Sequence, residues 1–278
     1  MLYRMRLVRL ACFLGIGIVF AGILSSPLSS QPPKRKKLLA IGDVKGFQHD
    51  SVSHGLAVIE RLGQESGLYD TYIRTDAQLL TKQKIGGNAK NLDYFDAVLF
   101  YTTGELEMSG QQKTDFMSFI KDDGKGFIGA HSAIDTFYSW PEYGEMTGGY
   151  FDQHPWGVFN APVIVEDPEF PAMKGFKKTF TINDEIYQAK TYSRDKLRVL
   201  ARLDPDKIDL KNPRVHRTDR DFAVAWVKEY GKGRVFYSTF GHRPEVWDMP
   251  EVQKMYFEAI KWAMKLTDAD ITPRPLPH

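Results

Sequence analysis

The sequence predicts an α/β fold with helices packed on a mostly parallel sheet. Short apolar runs of strand length alternate with helical patterns, which is typical of parallel strands joined by right-handed crossovers. Up to residue 133 the pattern is close to one half of a flavodoxin-like fold. The chain has 278 residues, 42% of them hydrophobic, which is enough for one large domain with a full core.

The first thirty residues have the layout of a secretory signal peptide. Three arginines precede an uncharged apolar stretch at 10–24, and small serines follow it. This stretch is shorter than the roughly 20 residues of a membrane-spanning helix, although an uncleaved membrane anchor stays an alternative. We therefore expect a secreted or periplasmic protein, with a signal peptide at 1–30, a spacer at 31–36, an α/β domain at 37–267 and an irregular tail at 268–278.

Charge and cysteine content narrow the chemistry. Of the 37 lysines and arginines, three lie in residues 1–30, which leaves 34 against 35 acidic residues and a net charge of −1. This balance gives no support for a nucleic-acid partner. The single cysteine, Cys12, lies in the expected signal peptide. The remaining chain therefore offers no disulfide, no thiolate metal ligand and no cysteine nucleophile.

The elements of the first half follow from apolar runs and from the residues that end helices. Four strands are predicted at 37–42, 69–74, 97–101 and 126–130, the first and third of them buried. The first helix is expected to have Asp50 or Ser51 as its cap. The second is predicted to begin at Ser109, with Gln112 completing a capping box, and to stop at a left-handed Gly124.

The second half breaks this alternation. Residues 134–160 predict a long loop rich in aromatic residues, glycine and proline, and residues 204–219 predict an exposed polar excursion. A final helix is expected from Pro250 to about Met264. Further strands, the last two as a hairpin, are predicted at 161–165, 180–182, 197–203, 222–227 and 234–239.

Several histidines lie just beyond predicted strands. His49, His131 and His242 each fall in a loop after a strand, His154 lies in the aromatic loop, and Glu185 closes another strand. Ligands of open α/β sheets bind at the carboxyl ends of the strands, so we expect these side chains to converge. Histidine and carboxylate there can serve as acid and base or can bind a divalent metal, and both alternatives stay open.

These positions give three sets of candidates. The candidate catalytic residues are His131, His242 and Glu185. The candidate ligands of a divalent metal, the one cofactor considered, are His131, His154, His242 and Glu185. The candidate substrate-binding residues are His49, Ser132, Tyr150, His154, Trp156 and Tyr187. Simpler structural roles are backbone capping for His131 and stabilisation of a helix N-terminus for His49.

Aromatic residues are concentrated in the predicted loop at 134–160. They are Trp140, Tyr143, Tyr150, Phe151, Trp156 and Phe159. A platform of such rings suits the apolar C–H face of a sugar. The alternative is a hydrophobic cluster beneath a long loop.

Three common motifs are absent from the sequence. It has no Gly-x-x-x-x-Gly-Lys-Ser/Thr loop, no Gly-x-Gly-x-x-Gly after the first strand and no Gly-x-Ser-x-Gly elbow. The segment nearest to an elbow is 129–133, which places His131 at the turn.

Four segments, in this order, resemble the ThuA-like family, named for trehalose utilisation, across residues 37–267. They are GFIGAHS at 126–132, GGYFDQHP at 148–155, DEIY at 184–187, and VAW, GKGRVFYS and GH within 224–242. The family belongs to the class I glutamine amidotransferase-like superfamily, so the resemblance implies a flavodoxin-like three-layer sandwich. Its association with disaccharide metabolism implies a sugar or keto-sugar ligand.

The resemblance also includes a departure. Amidotransferases of this superfamily use a cysteine at the turn where this chain has His131, so we expect no glutamine amidotransferase activity. The first expectation is an exported sugar isomerase, epimerase or hydrolase, with His131, His242 and Glu185 within about 8 Å of one another. The alternative is a non-catalytic carbohydrate-binding module on a retired amidotransferase-like scaffold. A membrane-anchored structural protein is a weaker third expectation, and a membrane contact is expected only if the leader is uncleaved.

Overall fold

The structure is a computed structural model that describes residues 34–87 and 89–277. The expected signal peptide at 1–30 and the first residues of the spacer lie outside the described residues. Within the described ranges, no helix combines the length and the apolar character that crossing a membrane requires.

The described residues form strands, helices and short 3-10 turns. The strands are β1 (Lys36–Ile41), β2 (Tyr69–Arg74), β3 (Ala97–Phe100), β4 (Gly126–Ala130), β5 (Tyr150–Gln153), β6 (Val158–Val165), β7 (Thr179–Glu185), β8 (Gln188–Lys190), β9 (Arg198–Leu203), β10 (Ala223–Tyr230) and β11 (Gly233–Ser238). The helices are α1 (Ser51–Ser66), α2 (Gly110–Lys121), α3 (Pro141–Thr147), α4 (Pro244–Trp247) and α5 (Pro250–Ala263). The 3-10 turns are Leu92–Tyr94, His131–Ile134 and Pro171–Met173.

Nine strands form one mixed sheet in the order β2-β1-β3-β4-β11-β10-β9-β6-β7. Its first five strands are parallel to one another. The remaining neighbours pair antiparallel. The predicted α/β fold is therefore confirmed, with the parallel pairing concentrated in one half of the sheet.

Helices cover both faces of the parallel half. Leu38 and Ala40 of β1 pack in a core with α1 and α5, while Leu39 and Ile41 pack in a second core with α2 and α3. Strands buried on both faces are nearly continuous apolar runs, which is why β1, β3 and β4 could be predicted from the sequence. The result is the three-layer arrangement that the family resemblance implied.

The prediction of a long loop at 134–160 is wrong, because this segment contains α3, β5 and the beginning of β6. Pro141 occupies the first turn of α3, where a missing N–H is no loss. Gly148 ends the same helix with a φ of 92°. The proline and glycine that suggested a loop therefore lie at the two ends of a short helix.

The two helix starts expected in the first half differ. Ser109 and Gln112 form the predicted capping box. Asp50 stands at the N-cap of α1, as expected, but its side chain makes no capping hydrogen bond. Ser51 instead donates from Oγ to the carbonyl of His242 at 2.8 Å and so joins α1 to a loop at the sheet edge.

One edge of the sheet collects the ends of several strands. The parallel strands β1, β3, β4 and β11 all finish there. The hairpin of β6 and β7 also reaches it. Because β6 pairs with β9 only through residues 163–165, the Val158–Glu185 end of this hairpin is released from the sheet.

Candidate functional site

Four side chains from four strand ends converge at this edge. His49 follows β1, His131 follows β4, Glu185 ends β7 and His242 follows β11. Each offers one ligand atom, and these atoms all lie within 4.8 Å of one another. The separation is well inside the 8 Å or so that one small ligand could bridge. We call these four residues the histidine–glutamate cluster.

His131 occupies a sharp turn immediately after β4. Its φ is 42°, in the left-handed region that residues other than glycine rarely adopt. The ring is completely buried, and Nδ1 donates to the carbonyl of Thr239 at 2.6 Å. The Tyr237 hydroxyl donates to the main-chain oxygen of His131 at 2.7 Å. In a neutral ring, the bond to Thr239 leaves Nε2 unprotonated and free to act as a ligand or base.

His49 faces His131 across the cluster. Their Nε2 atoms lie 3.2 Å apart, and the rings meet at 87°. Burial, followed by the charge of His242, lowers the pKa of His49 to about 4. Burial, followed by the neighbouring His49, lowers the pKa of His131 well below its usual value. Both rings are therefore neutral at pH 7.

Glu185 connects the other members of the cluster. Its Oε1 lies 3.2 Å from Nδ1 of His242 and 3.8 Å from Nε2 of His131. Burial acts to lower the pKa of His242, but the contact with Glu185 and its negative charge outweigh burial and raise that pKa. His154 lies on the other side, with Nδ1 3.3 Å from Oε2 of Glu185.

The loop that carries His242 is fixed by its neighbours. Asp184 accepts hydrogen bonds from the backbone N–H of Gly241 at 2.7 Å and of Arg243 at 3.2 Å. Burial raises the pKa of Asp184 to about 7, against the effect of these hydrogen bonds. Gly241 has a φ of 127°, and a Cβ there would lie 2.9 Å from the indole nitrogen of Trp247. The backbone on both sides of His242 is thereby held in place.

A cavity of about 260 Å³ opens beside the cluster. In addition to His49, Glu185 and His242, it is lined by Phe47, Asp135, Phe151, His154 and Tyr187. The ring of Tyr187 lies 4.4 Å from that of His131 and 4.5 Å from that of Phe151. Phe47 is 64% exposed and stacks on His242 at 6.4 Å. The cavity thus combines aromatic walls with acidic and imidazole groups.

Three of the candidate substrate-binding residues do not reach this cavity. Tyr150 is buried, and its hydroxyl accepts from the Gly144 N–H at 3.1 Å. Trp156 donates from its indole N–H to the carbonyl of Asp209 at 3.1 Å. Ser132 is completely buried in the turn after β4. None of the three lines the cavity, and their role in substrate binding stays a prediction.

The predicted aromatic platform is mostly core packing. Among the six aromatic residues proposed for it, all within the described part of the chain, Phe151 alone lines the cavity. Trp140 and Tyr143 pack in the core that α2 and α3 share. Trp156 packs on Phe159 at 5.5 Å. The hydrophobic-cluster alternative therefore describes most of this segment.

Two residues that line the cavity, Asp135 and Phe47, are not among the candidates from the sequence. Asp135 directly follows the 3-10 turn that begins at His131, and its place four residues after His131 could have identified it. Burial raises the pKa of Asp135, and a hydrogen bond from the Tyr138 hydroxyl opposes that rise. Phe47 is a single aromatic residue in a loop, and nothing in its sequence context distinguishes it.

Fold and site together define an α/β domain with a histidine–carboxylate centre where open sheets bind ligands. The sequence matches the ThuA family, described as trehalose utilisation, over residues 37–263. The chain belongs to this family.

Solved structures share the fold at low sequence identity. A ThuA-like protein of Bacteroides uniformis aligns with a TM-score of 0.69 and 20% identity, covering 86% of this chain and 95% of that chain. A ThuA-like protein of Parabacteroides merdae aligns with a TM-score of 0.63 and 16% identity, covering 88% and 94% respectively. For a cytoplasmic protein of Salmonella typhimurium the TM-score is 0.52 and the identity 13%, with 82% and 98% covered. A comparison with curated proteins gives no match.

Proposed function

We propose that this chain is an exported ThuA-family enzyme that acts on a sugar or keto-sugar without cysteine-dependent amidotransferase chemistry. The observation that carries the proposal is the convergence of His49, His131, Glu185 and His242 beside an aromatic-walled cavity. A carbohydrate-binding module needs the aromatic walls but no convergent histidines and carboxylates. Export is supported by the signal-peptide layout of residues 1–30.

The cavity supports a single sugar ring as the ligand. Its volume of about 260 Å³ lies below the roughly 300–1,000 Å³ of cavities that hold drug-sized molecules. Phe47 and Phe151 present apolar faces to the C–H side of a ring, and Asp135, Glu185 and His154 can bond to its hydroxyls. The family description, trehalose utilisation, favours a ring derived from a disaccharide.

The chemistry that suits these residues is proton transfer at a carbon next to a carbonyl. The histidine–glutamate cluster faces the carbonyl oxygen and stabilises the charge that develops there. Asp135 and His154 line the same cavity, and one removes the proton while the other returns it. The C–H electron pair moves toward the carbonyl oxygen and back, so epimerisation or isomerisation needs no oxidant or reductant.

Proton NMR in D₂O tests this proposal, with trehalose and its keto derivative as probes. Loss of the signal from the C–H beside the carbonyl measures proton transfer, and free glucose measures hydrolysis. We expect exchange with the keto-sugar, reduced about 100-fold or more in Asp135→Asn and His154→Gln. The matched control is His54→Gln, because His54 pairs with Asp248 at 2.8 Å on the surface.

Two results would contradict the proposal in different ways. Sugar binding without exchange or hydrolysis would identify a binding module and refute the enzyme. Absence of both binding and turnover with either probe would refute the sugar ligand itself.

A further inference from the structure

We propose that His49, His131, His242 and Glu185 together bind one divalent transition-metal ion of the zinc type. The inference rests on the proposed function only for the role of the ion, since its binding can be measured without a sugar. When bound, such an ion would polarise the carbonyl oxygen of the sugar.

The distances within the cluster match those between ligands of one metal ion. Zinc lies about 2.0–2.1 Å from its ligands, so neighbouring tetrahedral ligands are about 3.3 Å apart. The Nε2 atoms of His49 and His131 are 3.2 Å apart, as are Nδ1 of His242 and Oε1 of Glu185. The widest separation is within 4.8 Å. Any pair wider than the roughly 3.3 Å of a tetrahedral site has to draw together when an ion binds.

Hydrogen bonding alone does not satisfy the buried nitrogens. His131 donates from Nδ1 to Thr239, so its neutral ring presents a bare Nε2 to Nε2 of His49. If His49 is protonated on Nε2, its Nδ1 is left as a buried acceptor, for which the described residues provide no donor. If it is protonated on Nδ1, that N–H has no acceptor, and two bare Nε2 atoms face each other. A cation between them removes the repulsion in the second arrangement, because both lone pairs then point to it. The Nδ1–H of His49 still has no acceptor among the described residues.

The surroundings hold the ligands as a metal site requires. The carbonyl of Thr239 fixes the tautomer of His131, and the hydroxyl of Thr239 accepts from the Tyr187 N–H at 2.9 Å. Asp184 holds the backbone on both sides of His242. Partners of this kind orient the ligands of metal sites and raise metal affinity.

The ligand types determine which ions fit. Three imidazoles and one carboxylate suit zinc and similar transition metals, whereas magnesium and calcium prefer oxygen ligands. His49 takes the place that the sequence-based set gave to His154. The structure places His154 outside the four-residue cluster, against Oε2 of Glu185. That placement leaves His154 available for proton transfer.

Elemental analysis and calorimetry of the purified protein test this site. We expect about one zinc per chain as isolated, and rebinding of one zinc after treatment with a chelator. Zinc binding should weaken about 100-fold or more in Glu185→Gln and His242→Ala. This is at or above the roughly 10–100-fold loss that follows when a residue that only supports a metal ligand is replaced. His54→Ala is the matched control and should bind zinc normally. Cobalt as a substitute should give visible absorption bands of a four- or five-coordinate site, absent in His242→Ala.

The outcomes separate the metal site from the function. Less than a tenth of an equivalent of metal, with no heat of zinc binding, would overturn the inference. Equal zinc affinity in the wild type, Glu185→Gln and His242→Ala would also overturn it. Sugar exchange that persists in the metal-free protein would refute the role of the ion and leave the proposed function standing. One tightly bound zinc without any action on sugars would support the site and refute that function. His131 is completely buried, so its replacement can disturb the fold, and the test therefore uses Glu185 and the half-buried His242.

Discussion

The Nε2 atoms of His49 and His131 meet at 3.2 Å although the two residues are 82 positions apart in the chain. Burial lowers the pKa of both rings, so the pair is neutral at neutral pH. Two facing neutral imidazoles in a buried position are a poor choice for packing alone, since apolar side chains would fill the space without unpaired nitrogens. We therefore regard this pair as the centre of the site and derive predictions from its surroundings.

The left-handed backbone at His131 gives a prediction about stability. At a φ of 42° the backbone of alanine is strained, whereas that of glycine is not. We expect His131→Gly to have a free energy of unfolding about 1 kcal/mol higher than His131→Ala, the reverse of the usual order. Urea denaturation measures the difference. At Ala133, where φ is not positive, glycine should be less stable than alanine, and the same order at both positions would contradict the argument.

The carboxylate of Asp184 is expected to hold the loop of His242. Asp184→Ala removes the acceptor of two backbone N–H groups, at Gly241 and Arg243, and should lower the free energy of unfolding by about 2–4 kcal/mol. Asp184→Asn keeps one acceptor oxygen and should recover part of the loss. The exposed Asp248 provides the control, since Asp248→Ala should cost less than about 1 kcal/mol. A smaller loss in Asp184→Ala than in Asp248→Ala would refute this role.

Phe47 is expected to affect sugar affinity without affecting the fold. Its ring is 64% exposed and lines the cavity. Phe47→Ala should weaken sugar binding about 2–10-fold, which corresponds to one aromatic contact, and should leave the free energy of unfolding within about 0.5 kcal/mol. Phe47→Trp should restore the affinity. Calorimetric titration with sugar measures the effect, and Leu266→Ala, another exposed apolar residue, is the control. Unchanged affinity in Phe47→Ala would remove Phe47 from the site.

The pair of Asp135 and Tyr138 predicts a pH dependence. Burial raises the pKa of Asp135, and the hydrogen bond from Tyr138 lowers it. A carboxylate base acts only when deprotonated, so the rate of proton exchange should fall as the pH drops through the pKa of Asp135. Tyr138→Phe removes the hydrogen bond and should move this fall to higher pH. Tyr94→Phe, whose hydroxyl pairs with Tyr72 instead, should leave it unchanged. A shift to lower pH in Tyr138→Phe would contradict the assignment.

Much of the parallel half of the fold could be predicted from the sequence. The bounds of β2 and β4 agree with the prediction. β4 is buried throughout and is a continuous apolar run, whereas β2 is a half-buried edge strand rich in aromatic and β-branched residues. The convergence of the histidines after β4 and β11 follows from the same parallel order. In both cases the local pattern and the tertiary structure impose the same requirement.

The remainder depends on contacts that no local pattern contains. Glu185 lies at the end of the β6–β7 hairpin that does not pair with β9, and the N–H of the nearby Tyr187 bonds to Thr239 after β11. The tyrosines of α3 and β5 resembled a binding surface, yet their hydroxyl groups bond to backbone inside the core, as Tyr143 does to Ala133 at 2.6 Å. Composition cannot distinguish an exposed aromatic wall from a buried one.

The position of β11 between β4 and β10 has a consequence for how the protein is made. During synthesis from the amino end, β4 is complete about a hundred residues before β11 begins. Until then β4 has one unpaired edge, which is a site for aggregation or for capture by a chaperone. His242 follows β11, so the nascent chain also lacks its ligand site during this interval. A ligand can therefore stabilise only the completely folded molecule, and ligand binding shows that β11 has been inserted into the sheet.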